Sequence, residues 1–294
     1  MTFLASIPSP HDGTVNAGPF AIHLYGVMLL LAIAACLALT GYRWVKWGGD
    51  WDLVFRVAVW GVAFGIVGAR LYHDLTSWGD VKAIDTWWAP FAVWKGGLGV
   101  WGGILFGVLA GAWIVRRSGN SVRLFMDAVA PGLLLAQGIG RWGNWFNQEL
   151  FGKPTSLPWG LKIDEAHRGS YIQYTTFHPT FLYEFIWDIV GVLVLLLVDS
   201  RFRLRRPALF ALYVSWYCFG RFFEELLRID PAHEYFGLRL NAYVSIVGFV
   251  LSTAFFIWWQ FIRKESGADR PRAKRIVPEG PAMAVPKGRV RSGR

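Results

Sequence analysis

Residues 20–41, FAIHLYGVMLLLAIAACLALTG, form a stretch of 22 amino acids that contains no Asp, Glu, Lys or Arg. A helix needs about 20 predominantly apolar residues to cross the hydrocarbon core of a bilayer. Outside this stretch the chain is also apolar: 54% of all residues are hydrophobic and 17% are charged, whereas soluble domains carry roughly a quarter charged residues. The stretch is therefore predicted to be one transmembrane helix among several.

Six further segments have a similar length and apolar character. The seven predicted spans are approximately 20–41, 53–71, 91–115, 124–143, 179–198, 207–227 and 241–261. The chain is therefore predicted to be an all-α membrane protein in which residues 20–261 form a domain of seven transmembrane helices. Residues 1–19 are predicted to be an extracytoplasmic arm, and since residues 1–18 contain no Lys or Arg, they lack the basic region of a cleaved signal peptide.

The basic residues of the connecting loops predict the orientation of the helices. Short cytoplasmic loops carry an excess of Lys and Arg. In this chain such residues follow the first, third and fifth spans: Arg43, Lys46, Arg116, Arg117, Arg123, Arg201, Arg203, Arg205 and Arg206. The N-terminus is therefore predicted to lie outside the cytoplasm and the C-terminus inside it.

Residues 262–294 differ in composition from the spans. They contain ten Lys or Arg and three acidic residues, which accounts for most of the net charge of +10. The segment is rich in Pro and Gly and has no apolar periodicity, so it is predicted to be a disordered cytoplasmic tail that can touch anionic lipid headgroups. Because the positive charge is concentrated in this tail, nucleic acid is not predicted as a partner.

Several ionisable residues fall within the predicted spans, where a charge is costly and is normally functional or paired. The predicted orientation brings all of them to the outer leaflet: Arg70, Lys95, Arg141, Glu184, Arg221, Glu225 and Arg228. A single arginine near a helix end can instead snorkel to the interface, and an ion-pair cluster can serve only to hold helices together. A set contributed by several helices at one depth favours a functional site.

The sixth span carries three of these residues on one helical face. Arg221, Glu225 and Arg228 are spaced at i, i+4 and i+7. Glu225 is therefore predicted to bridge the two arginines.

Two glycine-rich segments leave alternatives open. Residues 140–152, GRWGNWFNQELFG, combine an arginine suited to phosphate with amides and a carboxylate, which is the composition either of a ligand-binding loop or of a polar interfacial loop. Residues 95–103, KGGLGVWGG, have the composition either of a helix that leaves room for a ligand or of a small-residue packing seam.

Residues 140–152 fit the pattern G-R-x-G-N-x-x-N-x-E-x-x-G, which resembles the signature of the bacterial prolipoprotein diacylglyceryl transferase family. Further segments resemble motifs of that family in the same order along the chain: Tyr25-Gly26, Gly68-Ala69-Arg70-Leu71, Asp127 to Pro131, His178 to Glu184, and Arg221-Phe222 with Glu225 and Arg228. The resemblance covers about residues 21–230, and the family has the topology predicted above.

The resemblance implies an enzyme of the bacterial plasma membrane with its active site toward the outer leaflet. Such an enzyme transfers the diacylglyceryl group of phosphatidylglycerol to the lipobox cysteine thiol of a preprolipoprotein signal peptide. A thioether forms and glycerol phosphate leaves, in the first step of lipoprotein maturation. The reaction needs no metal and no cofactor, and the partners are the anionic lipid, the signal peptide and the surrounding membrane.

The resemblance also implies which residues form the site. Arg141 and Arg221 are implied as the catalytic pair, since arginines stabilise the charge that develops on the departing phosphate. Residues implied in substrate binding are Tyr25, Arg70, Gly102, Asn144, Glu149, Gly152, His178, Glu225 and Arg228. From its position at a helix end, His178 is also consistent with a structural role.

Two positions depart from the family pattern. Trp101 stands before Gly102 and Gly103, where many members have a histidine that is a proposed base for the thiol. Since indole cannot accept a proton, either another group is the base or none is needed, because a cationic pocket lowers a thiol pKa from about 8.5. Phe181 stands where glutamine is usual and removes one hydrogen-bonding group.

Two other classes of protein compete with this interpretation. A transporter or flippase for an anionic lipid would also direct arginines into a membrane cavity, but such proteins typically have sites at the midplane and internal repeats, and the sequence shows neither. An intramembrane serine protease is not favoured, because the sequence contains no G-x-S-x-G and offers Ser215 and Ser245 no plausible partner.

Overall fold

A computed structural model of the chain describes residues 6–82, 86, 88–93, 96–232 and 234–264. Seven of the described helices have 18 or more residues, and a short helix, α3, follows the second. In chain order the helices are α1 (Leu24–Lys46), α2 (Trp51–Thr76), α3 (Trp78–Lys82), α4 (Val100–Arg117), α5 (Val122–Phe146), α6 (Thr180–Arg201), α7 (Ala208–Leu227) and α8 (Leu240–Ile257). Most of the predicted tail, residues 265–294, and Lys95 lie outside the described residues.

Six of the seven long helices are long and apolar enough to cross a membrane, with α8 continued by a π-helical turn, Trp258–Ile262. The chain is therefore a multi-pass membrane protein. The exception is α7, whose 20 residues correspond to about 30 Å at 1.5 Å per residue. Every 18-residue stretch of α7 contains Arg221, Glu224 and Glu225, so its charge, and not its length, separates it from the others.

Two helices begin later than predicted, for local backbone reasons. Strands β1 (Thr14–Ala17) and β2 (Phe20–His23) form an antiparallel hairpin, so α1 begins at Leu24 instead of residue 20. The third predicted span begins at Val100 instead of residue 91, because Gly96 and Gly97 have φ values of 86° and 76°. A left-handed backbone, which glycine adopts readily, is incompatible with an α-helix.

Helices α2 and α4 approach each other closely along a row of glycines. A Cβ atom on Gly68 would lie 2.5 Å from the carbonyl oxygen of Gly102, and one on Gly107 would lie 3.1 Å from that of Gly61. Small residues of this kind let two helix backbones pack together in a membrane, where no hydrophobic force drives their association. The glycines of the 95–103 segment that belong to α4 therefore form a packing seam.

An ion-pair network joins the helices at one end of the bundle. Arg43 near the end of α1 donates to the carbonyl oxygens of Asp127 and Ala128 and to the Asp199 carboxylate at 3.2 Å. Arg206, which precedes α7, binds both Asp127 and Asp199 at 3.1 and 2.7 Å. Helices α1 and α6 thus end where α5 and α7 begin, so these four helices alternate in direction.

The opposite end of the bundle carries the longer connections. Strands β3 (Leu161–Lys162) and β4 (Thr176–Phe177) pair in the segment between α5 and α6, and β5 (Glu234–Tyr235) and β6 (Leu238–Arg239) form a hairpin before α8. The N-terminal arm lies on the first of these connections, where Ile7 pairs with Leu161 and the Trp145 indole donates to the Pro8 carbonyl oxygen. The arm and the loop therefore form one folded layer over this end.

The glycine seam leads to a stability prediction. Gly102→Ala should lower the free energy of unfolding by about 1–3 kcal/mol, the usual cost of overpacking, because its Cβ would collide with the Gly68 backbone. Gly140→Ala is the matched control, since a Cβ at that helical position meets no atom within 4 Å. Denaturant unfolding in detergent measures both, and equal stabilities would contradict the close α2–α4 contact.

Candidate active site

Arg141, Glu184 and Arg221 meet at the end of the bundle that carries the longer connections. Arg141 belongs to the last turns of α5, Glu184 to the second turn of α6 and Arg221 to the last turns of α7. The Glu184 carboxylate accepts from Arg141 at 2.5 Å through Oε1 and from Arg221 at 3.5 Å through Oε2. One buried carboxylate therefore holds two arginines from different helices.

Two further carboxylates of α7 contact Arg221. Glu224 lies 2.7 Å from Nη1 of Arg221, and Glu225 accepts from Nη2. Glu225 also lies 3.7 Å from Arg228, so the bridge predicted from the i, i+4, i+7 spacing is present. Glu224, which sequence reasoning did not single out, lies closer to Arg221 than Glu184 does.

The ion pairs continue into the segment between α7 and α8. Asp230 binds Arg228 at 2.7 Å and Arg239 at 2.7 Å, and Arg239 also lies 3.0 Å from Glu225. Burial would raise the pKa of Asp230, but the hydrogen bonds from the two arginines outweigh it and lower that pKa to about 2. Asp230 is therefore ionised at neutral pH.

We call these groups the arginine–carboxylate cluster. Its members are Arg141, Arg221, Arg228, Arg239, Glu184, Glu224, Glu225 and Asp230. With four guanidinium groups and four carboxylates, the cluster is electrically balanced when all of its members are ionised.

A cavity of about 300 Å³ opens between α6 and α7 beside this cluster. Its lining is mostly aromatic and aliphatic, with two carboxyl groups: Tyr183, Glu184, Trp187, Gly220, Phe223, Glu224 and Leu227. Phe223 at its edge has half of its surface exposed on the outside of the bundle. The cavity therefore brings an apolar surface next to two carboxyl groups that bind arginine.

The residues of the 140–152 segment lie near the cluster. Asn144 and Asn147 both donate to Oε1 of Glu149, at 2.8 and 3.4 Å. A Cβ on Gly143 would lie 2.6 Å from the ring of Tyr25, so this glycine lets the tyrosine of α1 pack directly on α5. The segment is thus held by its own polar groups one turn beyond Arg141.

Gly152 and His178 connect the segment between α5 and α6 to the end of α7. Gly152 donates its N–H to the carbonyl oxygen of His178 at 3.0 Å and pairs with Arg228 as an antiparallel bridge. The His178 Nδ1 atom lies 3.1 Å from the hydroxyl of Tyr183, which lines the cavity. Burial, with a smaller effect of Lys153, lowers the pKa of His178, so its imidazole is neutral at pH 7.

Arg70 and Gly102 lie in other surroundings. Arg70 binds Asp74 at 3.0 Å and donates to the carbonyl oxygens of Ala89, Pro90, Gly96 and Gly97 at 2.7, 2.8, 2.8 and 3.2 Å. Gly102 belongs to the α2–α4 seam. Among the contacts of the described residues, neither binds a member of the cluster. Ionisable residues of α5, α6 and α7 therefore meet there, while Arg70 is bound by Asp74 and by the connection that follows α2. Trp101, at the start of α4, is half exposed.

Asp188 is a second buried acid, besides Glu224, that was not singled out from the sequence. Asp188 lies one turn after Glu184 on α6, is fully buried, and has no hydrogen-bond partner for either carboxyl oxygen among the described residues. A Cβ on Gly138 of α5 would lie 3.1 Å from the Asp188 Cβ, so the side chain lies between α5 and α6. The sequence did offer a signal, since Asp188 lies within an apolar span, where an ionisable residue is normally functional or paired.

Comparison with known proteins relates this chain to one family. Residues 13–258 match the family described as prolipoprotein diacylglyceryl transferase. Phosphatidylglycerol–prolipoprotein diacylglyceryl transferases are similar to it: that of Frankia alni is 50% identical over 83% of this chain and 64% of its own length. That of Streptomyces griseus is 46% identical over 86% and 78%, and that of Cutibacterium acnes is 48% identical over 83% of each.

The cluster geometry predicts a large effect of removing its central carboxylate. Glu184→Ala leaves two arginines, with side chains only 18% and 12% exposed, without the group that joins them. Breaking a buried ion pair by removing one partner costs about 3–5 kcal/mol. Glu165→Ala, at an exposed loop position, should change stability by less than about 0.5 kcal/mol. Unfolding in detergent compares the two, and similar stabilities would show that Glu184 is not needed to hold the helices.

Proposed function

The chain belongs to the prolipoprotein diacylglyceryl transferase family and has phosphatidylglycerol–prolipoprotein diacylglyceryl transferase activity, and we propose that it carries out this reaction at the arginine–carboxylate cluster. Phosphatidylglycerol supplies the diacylglyceryl group, and the cysteine thiol of a lipobox in a prolipoprotein signal peptide accepts it. The sulfur bonds to the glyceryl carbon, the bond from that carbon to the phosphate oxygen breaks, and glycerol phosphate leaves.

The observation that carries this proposal is the meeting of Arg141 and Arg221 on Glu184 beside the apolar cavity between α6 and α7. A phospholipid presents a phosphate at one end and hydrocarbon at the other. Guanidinium groups match phosphate oxygens in a two-pronged geometry, and the departing phosphate gains negative charge as the carbon–oxygen bond breaks. We therefore assign Arg141 and Arg221 to the phosphate, and the cavity to the lipid part of the donor.

Other residues support this pair without touching the reacting atoms in the proposed arrangement. Glu225 and Arg228 hold Arg221 and the end of α7. Tyr25, Asn144, Glu149, Gly152 and His178 shape the headgroup side of the site. Arg70 holds Ala89, Pro90, Gly96 and Gly97 through their carbonyl oxygens, and Gly102 allows the close contact of α4 with α2.

We further propose that all seven long helices span the bacterial plasma membrane, with the N-terminus outside and the active site toward the outer leaflet. The charges of α7 are paired within the cluster, which lowers the cost of keeping them at membrane depth. The loop arginines that predict the cytoplasmic side include Arg43 and Arg206, which lie at the end of the bundle opposite the cluster. The basic tail is then cytoplasmic and can touch anionic lipid.

Transfer can be tested with purified protein, phosphatidylglycerol vesicles and a lipobox peptide. The peptide cysteine should gain the mass of a diacylglyceryl group, and vesicles of zwitterionic phosphatidylethanolamine should be far poorer donors because that headgroup lacks net negative charge. Arg141→Ala and Arg221→Ala should each lower the rate at least about 100- to 1,000-fold, the usual cost of removing one transition-state donor.

Matched variants separate chemistry from charge and folding. Arg141→Lys and Arg221→Lys should restore little activity, since a point charge does not reproduce the planar fork. Arg56→Ala, at an exposed ion pair on α2, should keep full activity. Near-normal turnover of either alanine variant, or equal transfer from both lipids, would refute the assignment of the arginines.

The topology is tested by cysteine labelling in intact bacteria, in a background where Cys36 and Cys218 are replaced by alanine. Thr86→Cys and Glu234→Cys, at exposed positions, should react with a membrane-impermeant thiol reagent. Lys287→Cys in the tail should react only after the membrane is permeabilised. Labelling of the tail in intact cells would reverse the orientation.

A further inference from the structure

Glu184 and Glu224 form a close pair of acids at the wall of the cavity. Both line the cavity, from α6 and α7 respectively. Their carboxylates flank the same nitrogen, Nη1 of Arg221, at 3.5 and 2.7 Å. Both side chains are more than nine-tenths buried. Two carboxylates this close stay ionised together only while cations compensate them.

The charge balance of the cluster makes this compensation depend on the donor lipid. Four arginines already have four carboxylate partners, so a phosphodiester adds a negative charge to a neutral set. Arg221 binds carboxylates through both terminal nitrogens, Nη1 to Glu184 and Glu224 and Nη2 to Glu225, so a two-pronged contact with the phosphate draws Nη1 away from the acid pair. Arg141 binds Glu184 through Nη2 alone and then shares its charge between that carboxylate and the phosphate. The acid pair thus loses part of its counter-charge, which favours its acceptance of a proton.

We propose that Glu184 and Glu224 together accept the proton of the lipobox thiol, and that binding of the lipid phosphate to Arg141 and Arg221 makes them able to do so. The inference rests on the proposed function. It identifies a proton acceptor in a chain whose Trp101, at the position of the usual histidine, cannot accept a proton.

The proposed step balances. The S–H bond breaks and its proton goes to the acid pair, while the sulfur electron pair forms the bond to the glyceryl carbon. The carbon–oxygen bond electrons go to the phosphate, which leaves as glycerol phosphate with one more negative charge. The protonated pair leaves the cluster with one net positive charge facing that dianion, and the proton then passes to the leaving phosphate or to water.

Other titratable groups surround the pair and take part in its electrostatics. They are Arg141 on α5, Tyr183 and Asp188 on α6, and Tyr217, Arg221 and Arg228 on α7. The main rival acceptor is His178, which reaches the cavity through the Tyr183 hydroxyl at 3.1 Å. The indole of Trp159 donates to that hydroxyl at 3.0 Å, which leaves the hydroxyl proton free to point at His178.

The test uses Glu224→Gln in the purified full-length protein, with two acceptor peptides that differ only in cysteine or selenocysteine. A selenol is more acidic than a thiol and is ionised at neutral pH, so it needs no base. Transfer to the cysteine peptide at neutral pH should fall about 100-fold or more, within the range for loss of a general base. Transfer to the selenocysteine peptide should stay near the wild-type rate.

Donor binding gives a second readout that a purely structural role would not produce. The neutral amide leaves the cluster with one extra positive charge, so phosphatidylglycerol should bind Glu224→Gln at least as tightly as the wild type. Glu224→Asp should retain part of the cysteine rate, and Glu165→Gln, at an exposed loop position, should match the wild type with both peptides.

The outcomes separate the two proposals. Wild-type protein that transfers nothing from phosphatidylglycerol contradicts the proposed function itself. If the wild type is active, two results for Glu224→Gln would overturn the acid pair as proton acceptor. One is an equal fall in the rate of transfer to the cysteine and selenocysteine peptides, and the other is weaker binding of phosphatidylglycerol. If His178→Asn is rescued by selenocysteine and Glu224→Gln is not, the proton goes through Tyr183 to His178 instead.

Discussion

The bridge from Glu184 to Arg141 and Arg221 is the interaction on which the arrangement of the site depends. A charge held at membrane depth is tolerated when it is paired, and each arginine of the cluster finds its partner on a neighbouring helix or turn. The pairing fixes α5 against α6 and α6 against α7, while Arg239 attaches the start of α8 through Glu225. Electrostatic neutralisation and helix packing are therefore one constraint in this part of the molecule.

Much of the fold was predictable because the hydrocarbon core imposes a minimum length of apolar sequence. All seven predicted spans overlap a long helix, since a stretch such as 179–198 has no other way to satisfy its backbone in lipid. Hydropathy does not report backbone dihedral angles, however. The hairpin before Leu24 and the left-handed Gly96 and Gly97 therefore shifted two helix starts, by about four and nine residues.

The site was predictable to a lesser degree, because orientation and spacing determine the depth of a residue but not the direction of its side chain. Arg141, Glu184, Arg221 and Glu225 were expected at one depth and do meet. Arg70 was expected at the same depth, and its guanidinium binds the carbonyl oxygens of Ala89, Pro90, Gly96 and Gly97 instead of a carboxylate of the cluster. Arg239 was missed, since its partners Glu225 and Asp230 lie outside its own strand, β6. Glu224 was missed although Arg221 lies three residues before it on α7, because its place beside Glu184 joins two helices that no local pattern relates.

The balanced charge of the cluster also bears on how an anionic lipid is chosen. A site with a large positive surplus would attract any anion, whereas here a phosphate has to compete with carboxylates that already bind the arginines. Success in that competition depends on matching the two-pronged geometry of the guanidinium as well as on charge. Burial of hydrocarbon in the adjoining cavity adds to the free energy of binding, and a free phosphate lacks this contribution. Selectivity for a phospholipid therefore follows from two requirements that one molecule meets: a phosphate that fits the guanidinium groups, and hydrocarbon that fits the cavity.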